Sequence, residues 1–386
     1  MSFPVFITLP RSKSIIIRCL IINYLKNGTL LPVFDDDPND IKVVHNALKV
    51  VDSRKETSVN EECVIDVQDC GAAYRFLLTL LATTRGKWLL TGTERLLQRP
   101  IIPLVNFLKA KDARIKKTEK GWQIEGGKLQ IDNFEIDTSE TSQFASALMM
   151  VFGSRVREFK SSKFNPEFNS GQSSKPEKFY GLQNPYLKMT QTLLQTNNLS
   201  SFINLADWSA AVFWLANALL MPNAHYLLRN LHFDELQGDA IIASRFEKWG
   251  LVFTENEDGI EVKHVNQVDI PEQEIDVTQT PDLAMILAVL SICYPFQLTL
   301  SGMKNLNLKE SKRLDVMVKE LSRFTKIEKL SEDTITFYKR TITLPETFKF
   351  NSYNDHRFVM AWSLFKKFGI VIIENPECIK KSYPNF

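Results

Sequence analysis

Six times along the chain a short polar cluster runs straight into a long apolar stretch, and this recurrence restricts the fold more than any other feature. The copies read RSKSIIIRCLII, DCGAAYRFLLTLLA from Asp69, TSQFASALMMVF from Thr141, DWSAAVFWLANALL from Asp207, TPDLAMILAVLSIC from Thr280 and NDHRFVMAWSLF from Asn354. Successive copies start roughly 55–75 residues apart, the length of one α/β unit rather than of a single helix. Helices apolar on nearly all faces belong inside a layered structure, shielded on every side. A second, amphipathic helix type alternates with them, following Phe34, Gln98, Leu236 and Leu308; in the last, Leu314, Met317 and Leu321 make one stripe. Strand-like runs such as GKWLLTGT and FQLTLSGM precede several of these. The expectation is an α/β protein of six repeated strand-and-helix units, three per domain. At 386 residues the chain also exceeds what one hydrophobic core sustains. The polar stretch from Ser161 to Pro185 reads as an exposed loop.

Charge excludes some partners. With 47 basic against 45 acidic residues, no global field points to nucleic acid or a membrane surface. The five cysteines and five histidines are scattered, without the spacing of a metal site. No apolar run approaches the roughly 18 residues of a membrane span, and the N-terminus lacks a signal-peptide pattern. The expected location is the cytoplasm.

The polar clusters sit where helices begin. A helix N-terminus offers unpaired N–H groups and partial positive charge, so six parallel buried helices whose starts converge would form an anion site. The side chains placed there suit that use. Lys13, Arg18, Arg75, Arg99, Lys309, Arg313, Arg357 and Lys381 are cations near element ends, while Ser14, Thr141, Ser142, Gln143 and Asn305 offer hydrogen bonds. Asp282 and Glu310 are two carboxylates in this cationic set. Such a composition points to a phosphorylated or carboxylated substrate and acid–base chemistry upon it. Taken singly, Arg18 and Arg75 would be ordinary snorkelling cations, Asp207 and Asp282 ordinary helix caps, and His356 a structural histidine. Their joint occurrence at six buried helices argues against that.

These same residues resemble the EPSP synthase family of enolpyruvyl transferases over nearly the whole chain. LPRSKSIIIR is similar to its Pro-Gly-Ser-Lys-Ser…Arg opening, DCGAAYRFL to Asn-Ala-Gly-Thr-Ala-x-Arg, and LLQRPI to Arg-Pro-Ile. TSQFASALMM resembles Ser-Ser-Gln-Phe-x-Ser-Ala-Leu, LKESKRL resembles Lys-Glu-Ser-Asp-Arg-Leu, and NDHRFVMAWSL resembles Asp-His-Arg-Met-Ala-Met. NPECIKKSYPNF matches the closing Pro-x-Cys-x-x-Lys-Ser/Thr-Phe-Pro. The resemblance implies two domains of three α/β repeats, residues 13–205 and residues 1–12 with 206–386, their buried parallel helices pointing N-termini at an interdomain cleft. It implies transfer of the enolpyruvyl group of phosphoenolpyruvate to the 5-hydroxyl of shikimate 3-phosphate, releasing phosphate, by a cytoplasmic monomer needing no metal or organic cofactor. Lys13, Gly71, Arg99, Gln143, Arg313, Arg357 and Lys381 would hold phosphoenolpyruvate. Lys13, Ser14, Arg18, Thr141, Ser142, Gln143, Asp282, Asn305 and Lys309 would hold shikimate 3-phosphate. Asp282 would take the hydroxyl proton, with Glu310 and Lys13 moving protons at the methylene carbon.

Some positions depart from the family pattern. Arg11 replaces a Gly, Ala72 a Thr, Asn307 an Arg and Lys312 the Asp of Lys-Glu-Ser-Asp-Arg; Gln183 stands where a sugar-phosphate ligand is usual. Between Tyr186 and Asp207 a strand or hairpin is expected to be missing. These departures leave two alternatives, a non-catalytic homologue that binds phosphorylated metabolites or, against the motifs, a UDP-N-acetylglucosamine enolpyruvyl transferase.

Overall fold

The structure, a computed structural model, describes residues 3–54, 61–131, 133–153, 158–162, 179–180 and 184–386. Its elements begin with β1 (Val5–Thr8), α1 (Lys13–Asn27), α2 (Asn39–Ser53), β2 (Glu62–Asp66), α3 (Gly71–Thr83) and β3 (Gly86–Thr91). Next come α4 (Glu94–Leu97), α5 (Ile102–Lys109), β4 (Arg114–Thr118), β5 (Gly121–Gly126), β6 (Asn133–Asp137) and α6 (Gln143–Phe152). Then follow β7 (Glu158–Ser162), β8 (Phe179–Tyr180), α7 (Pro185–Gln195), α8 (Trp208–Leu220), β9 (His225–Arg229) and α9 (Ala243–Lys248). The hairpin β10 (Leu251–Asn256) and β11 (Gly259–His264) leads to β12 (Gln273–Asp276), α10 (Ala284–Cys293) and β13 (Leu298–Ser301). The remainder is α11 (Arg313–Leu321), β14 (Ile327–Lys329), β15 (Ile335–Phe337), β16 (Thr347–Asn351), α12 (His356–Ser363) and β17 (Ile370–Glu374).

All six apolar segments are helices: α1, α3, α6, α8, α10 and α12. Every residue of α10 and of α12 is buried, as is α1 from Ile15 to Tyr24. That burial explains why the segments show no polar face. The amphipathic segments form α2, α5, α11 and a 3-10 turn (Gly238–Ile242) running into α9. α11 turns its Leu314, Met317 and Leu321 stripe inward.

Three sheets repeat one topology. The orders β1-β9-β11-β10, β12-β13-β15-β14 and β2-β3-β5-β4 each join a parallel pair to an antiparallel hairpin. Parallel neighbours need a long crossover, and α3 and α10 supply it between β2 and β3 and between β12 and β13. The other two sheets, β6-β7-β8 and β16-β17, are parallel throughout the described residues. The expected loop at Ser161–Pro185 requires correction. Ser161 and Ser162 finish β7, Phe179–Tyr180 form β8, and Pro185 opens α7, whose start is capped by the Asn184 side chain accepting from Tyr186 and Leu187 N–H. Gln183 and the rest of that stretch, 163–178 and 181–182, lie outside the described residues.

Contacts divide the chain into two units. The first comprises Met1–Lys13, Phe34–Asn39 and Ile203–Phe386, the second Ser14–Val33 and Asp40–Phe202. Arg11 shows why Phe34–Asn39 and residue 203 group with the first. Its guanidinium grips Asp37 through two hydrogen bonds, donates to the Ile203 carbonyl at 3.0 Å and lies 4.5 Å above the Phe34 ring. In the first unit, α12 is fixed by stacked aromatics: Phe358 on Trp362 at 5.0 Å, and Trp362 on Phe350 of β16 at 4.6 Å.

Candidate active site

In the first unit one guanidinium organises the charged residues. Arg313 opens α11 with its side chain buried, and it donates to three carboxylates: Asp282 at 2.7 Å, Glu310 at 2.9 Å and Asp355 at 2.8 Å. Arg357, the second residue of α12, donates to the other oxygen of Asp282 at 2.9 Å. Lys381 stands 3.5 Å from Glu310, and Lys13, first residue of α1, donates to Ser382 Oγ at 2.8 Å. Lys309 is close enough to act on the Asp282 charge, while Asn305 precedes the 3-10 turn Leu306–Leu308. Asp282, Glu310, Arg313, Arg357 and Lys381 are thus joined in one network of ion pairs.

Electrostatics follow from that crowding. Burial opposes ionisation of Asp282, but Arg357, Arg313 and Lys309 outweigh it and hold the carboxyl well below its usual range. Burial likewise opposes the charge on Arg313, and Asp355, Glu310 and Asp282 more than restore it. His356 is buried beside these cations; burial first, then Lys13 and Arg357, push its pKa well down, so the ring is neutral near pH 7. Neither ring nitrogen finds a hydrogen-bond partner among the described residues. Asp239 behaves oppositely to Asp282. Burial and the neighbouring Asp282 charge raise it to about 7, against a hydrogen bond from Ser209.

The second unit holds a different cluster. Arg18, one turn into α1, is buried and donates to the Ser14 carbonyl at 2.8 Å, Thr190 Oγ1 at 2.8 Å and Ser146 Oγ at 3.2 Å. These acceptors are neutral, and burial lowers the guanidinium to about 10. Its flanks are the rings of Phe76 and Tyr186. Arg75 reaches Gln143 Oε1 at 2.8 Å, the Gly71 carbonyl at 3.1 Å and the Pro100 carbonyl at 3.0 Å. Thr141 accepts from the Gln143 N–H, and Ser142 occupies the N-cap of α6. Gly71 is the first residue of α3, and the buried Arg99 guanidinium lies directly on it. A Cβ at that position would fall 2.5–2.8 Å from three guanidinium atoms, so only glycine permits the approach. The starts of α3 and α6 therefore share one polar cluster.

Some residues of these clusters escape a sequence reading. Asp355 caps α12 through the Arg357 N–H and also holds Ser311 and Arg313; an Asp just before an apolar helix was the available signal. Thr190 and Tyr186 around Arg18 carry no local mark, whereas Ser146 and Ser382 fall inside the motifs TSQFASALMM and NPECIKKSYPNF without standing out from them.

Comparison with known proteins decides the family. A family model described as EPSP synthase (3-phosphoshikimate 1-carboxyvinyltransferase) matches residues 39–167 and 194–386. The chain belongs to the EPSP synthase family. A 3-phosphoshikimate 1-carboxyvinyltransferase of Bacteroides fragilis is 29% identical over 98% of this chain and 93% of that protein. One from Haemophilus ducreyi is 27% identical with the same coverage. Among solved structures, an EPSP synthase of Acinetobacter baumannii superposes with a TM-score of 0.65 at 17% identity, covering 99% of this chain and 94% of that one. That likeness extends the EPSP synthase fold to this chain. Among the described residues no helix is long and apolar enough to cross a membrane.

Proposed function

We propose that this chain transfers the enolpyruvyl group of phosphoenolpyruvate to the 5-hydroxyl of shikimate 3-phosphate and releases phosphate, as a monomer in the cytoplasm. The observation that carries this reading is a pair of carboxylates, Asp282 and Glu310, held on the one buried guanidinium of Arg313 in a chain of this family. In the first unit Lys13, Arg313, Arg357 and Lys381 bind phosphoenolpyruvate; in the second, Gly71, Arg99 and Gln143 do. Shikimate 3-phosphate takes Lys13, Asp282, Asn305 and Lys309 from the first unit and Ser14, Arg18, Thr141, Ser142 and Gln143 from the second. Arg18 suits a phosphate because its acceptors in the free protein are all neutral.

The reaction needs a proton added to the methylene carbon, attack of the hydroxyl oxygen on the adjacent carbon with loss of the hydroxyl proton, and departure of phosphate with a proton from the methyl group so formed, which restores the methylene. Glu310 and Lys13 serve the methylene, and Asp282 takes the hydroxyl proton. In the free protein Asp282 is a weak base because Arg357 and Arg313 hold its charge. A substrate anion that shares those guanidiniums relaxes their grip and raises its basicity. Preorganised charge supplies much of the acceleration. A non-catalytic homologue is disfavoured, since the acid–base pair and its cations are all retained. Release of inorganic phosphate on mixing purified protein with both substrates, and not with either alone, tests the reading; no release at saturating concentrations refutes it.

A further inference from the structure

We infer that Asn307 is the positioning residue for the loop that carries Lys309, Glu310 and Arg313, acting as a remote cap for α11. The helix starts badly by local standards. Lys312 occupies the N-cap, where it has no acceptor to offer, and it makes no side-chain cap. The N–H groups left over at the helix start are met from seven and eight positions upstream. Asn307 Oδ1 accepts from Leu314 N at 2.9 Å and from Asp315 N at 3.3 Å, while Asn307 Nδ2 donates to Asp315 Oδ1 at 2.9 Å. The exchange is reciprocal like a capping box, but Asp315 accepts from the Asn307 side-chain amide instead of from a backbone N–H, and the cap comes from outside the helix start. The displacement has a geometric result. Because Asn307 precedes the loop and Leu314 follows it, their bond closes 308–313 at its base, and the loop's interior is pinned by Ser311 on Asp355 and Arg313 on three carboxylates. Asn307 and Lys312, two departures from the family pattern, are therefore one compensated change rather than two losses. This inference rests on the proposed roles of Arg313 and Lys309 only for its effect on substrate.

The test restores a local cap. Lys312→Ser places a neutral capping hydroxyl at the helix start, and Lys312→Ala removes the same charge without a cap. With the full chain, Asn307→Ala should lower the melting temperature by about 1–3 °C and kcat/KM for phosphoenolpyruvate roughly three- to tenfold, with the circular dichroism spectrum unchanged. Adding Lys312→Ser to Asn307→Ala should recover most of both losses, whereas adding Lys312→Ala should recover neither. Melting temperatures that simply add across the Asn307→Ala and Lys312→Ser pair overturn the capping. A restored melting temperature without restored kcat/KM overturns the positioning role. If the unmodified chain releases no phosphate, the proposed reaction falls instead. The melting series still decides the cap, and calorimetric titration with phosphoenolpyruvate then replaces kcat/KM as the measure of loop position.

Discussion

Gly71 has no side chain, and the space a methyl would fill is already taken by Arg99. The obstructing atoms are the far end of a flexible side chain, so Gly71→Ala should fold while displacing the guanidinium. Steady-state kinetics should show the Michaelis constant for phosphoenolpyruvate raised roughly tenfold or more, the scale of one charge-assisted bond, with that for shikimate 3-phosphate far less affected. Lys13→Met should reduce turnover at least about a hundredfold, read by phosphate release with circular dichroism as the check on folding. Asp239 makes a prediction of opposite character. Its folded pKa of about 7 lies above the unfolded value, so the native state binds the extra proton and stability falls as pH rises between the two. Ionisation of this one group costs at most about 4 kcal/mol once pH exceeds 7. Melting temperatures from pH 4 to 8 should therefore decline less in Asp239→Asn than in the unmodified chain. Asp282 adds no slope there, because its depressed pKa confines its loss of stabilisation to lower pH.

Among the elements, the tie between Arg11 and Asp37 depends on a single carboxylate. Asp37 is almost wholly buried, accepts both arms of the guanidinium, and takes the Phe34 N–H at 2.7 Å. Asp37→Ala removes the buried carboxylate that holds both arms of a largely enclosed guanidinium and should cost about 1.5–3 kcal/mol in denaturant unfolding, whereas a surface pair would cost under about 1. Neither the partner nor the cost was legible in the sequence, where Arg11 stands out only as a residue replacing glycine. The contrast with the helices is instructive. α10 is readable because burial on every side leaves it a single polar residue, Ser291, whose hydroxyl turns back onto the Ala288 carbonyl, a property written into consecutive positions. Arg18 and Arg313 are readable as cations near helix starts for the same local reason. Their acceptors are not, since Thr190 and Asp355 lie far along the chain and could as well be an ordinary hydroxyl and an ordinary cap. β7 and β8 escape a sequence reading because five residues with one apolar side chain, and two residues alone, are too short to show an alternation.

For the molecule as a whole, ligand binding and stability are linked. Shikimate 3-phosphate at one hundred times its dissociation constant should stabilise the folded chain by about 2.7 kcal/mol, visible as a rise in melting temperature that Arg18→Ala abolishes at the same ligand concentration. With two units the unfolding curve need not be two-state, so the rise is best followed at the transition that moves. The division of the chain also sets an order of events at the ribosome. Val5 of β1 pairs in parallel with Tyr226 of β9, and the second unit's residues lie between them. Synthesis at roughly 5–20 residues per second leaves β1 without its neighbour for on the order of 10–40 s. During that wait the second unit is synthesised, and it is complete once Phe202 has been added, while Val5 and Phe6 hang on an unpaired strand. Translation speed all the way from β1 to β9, rather than any contact in the finished protein, then governs how long that strand is open to chaperones or to another nascent chain.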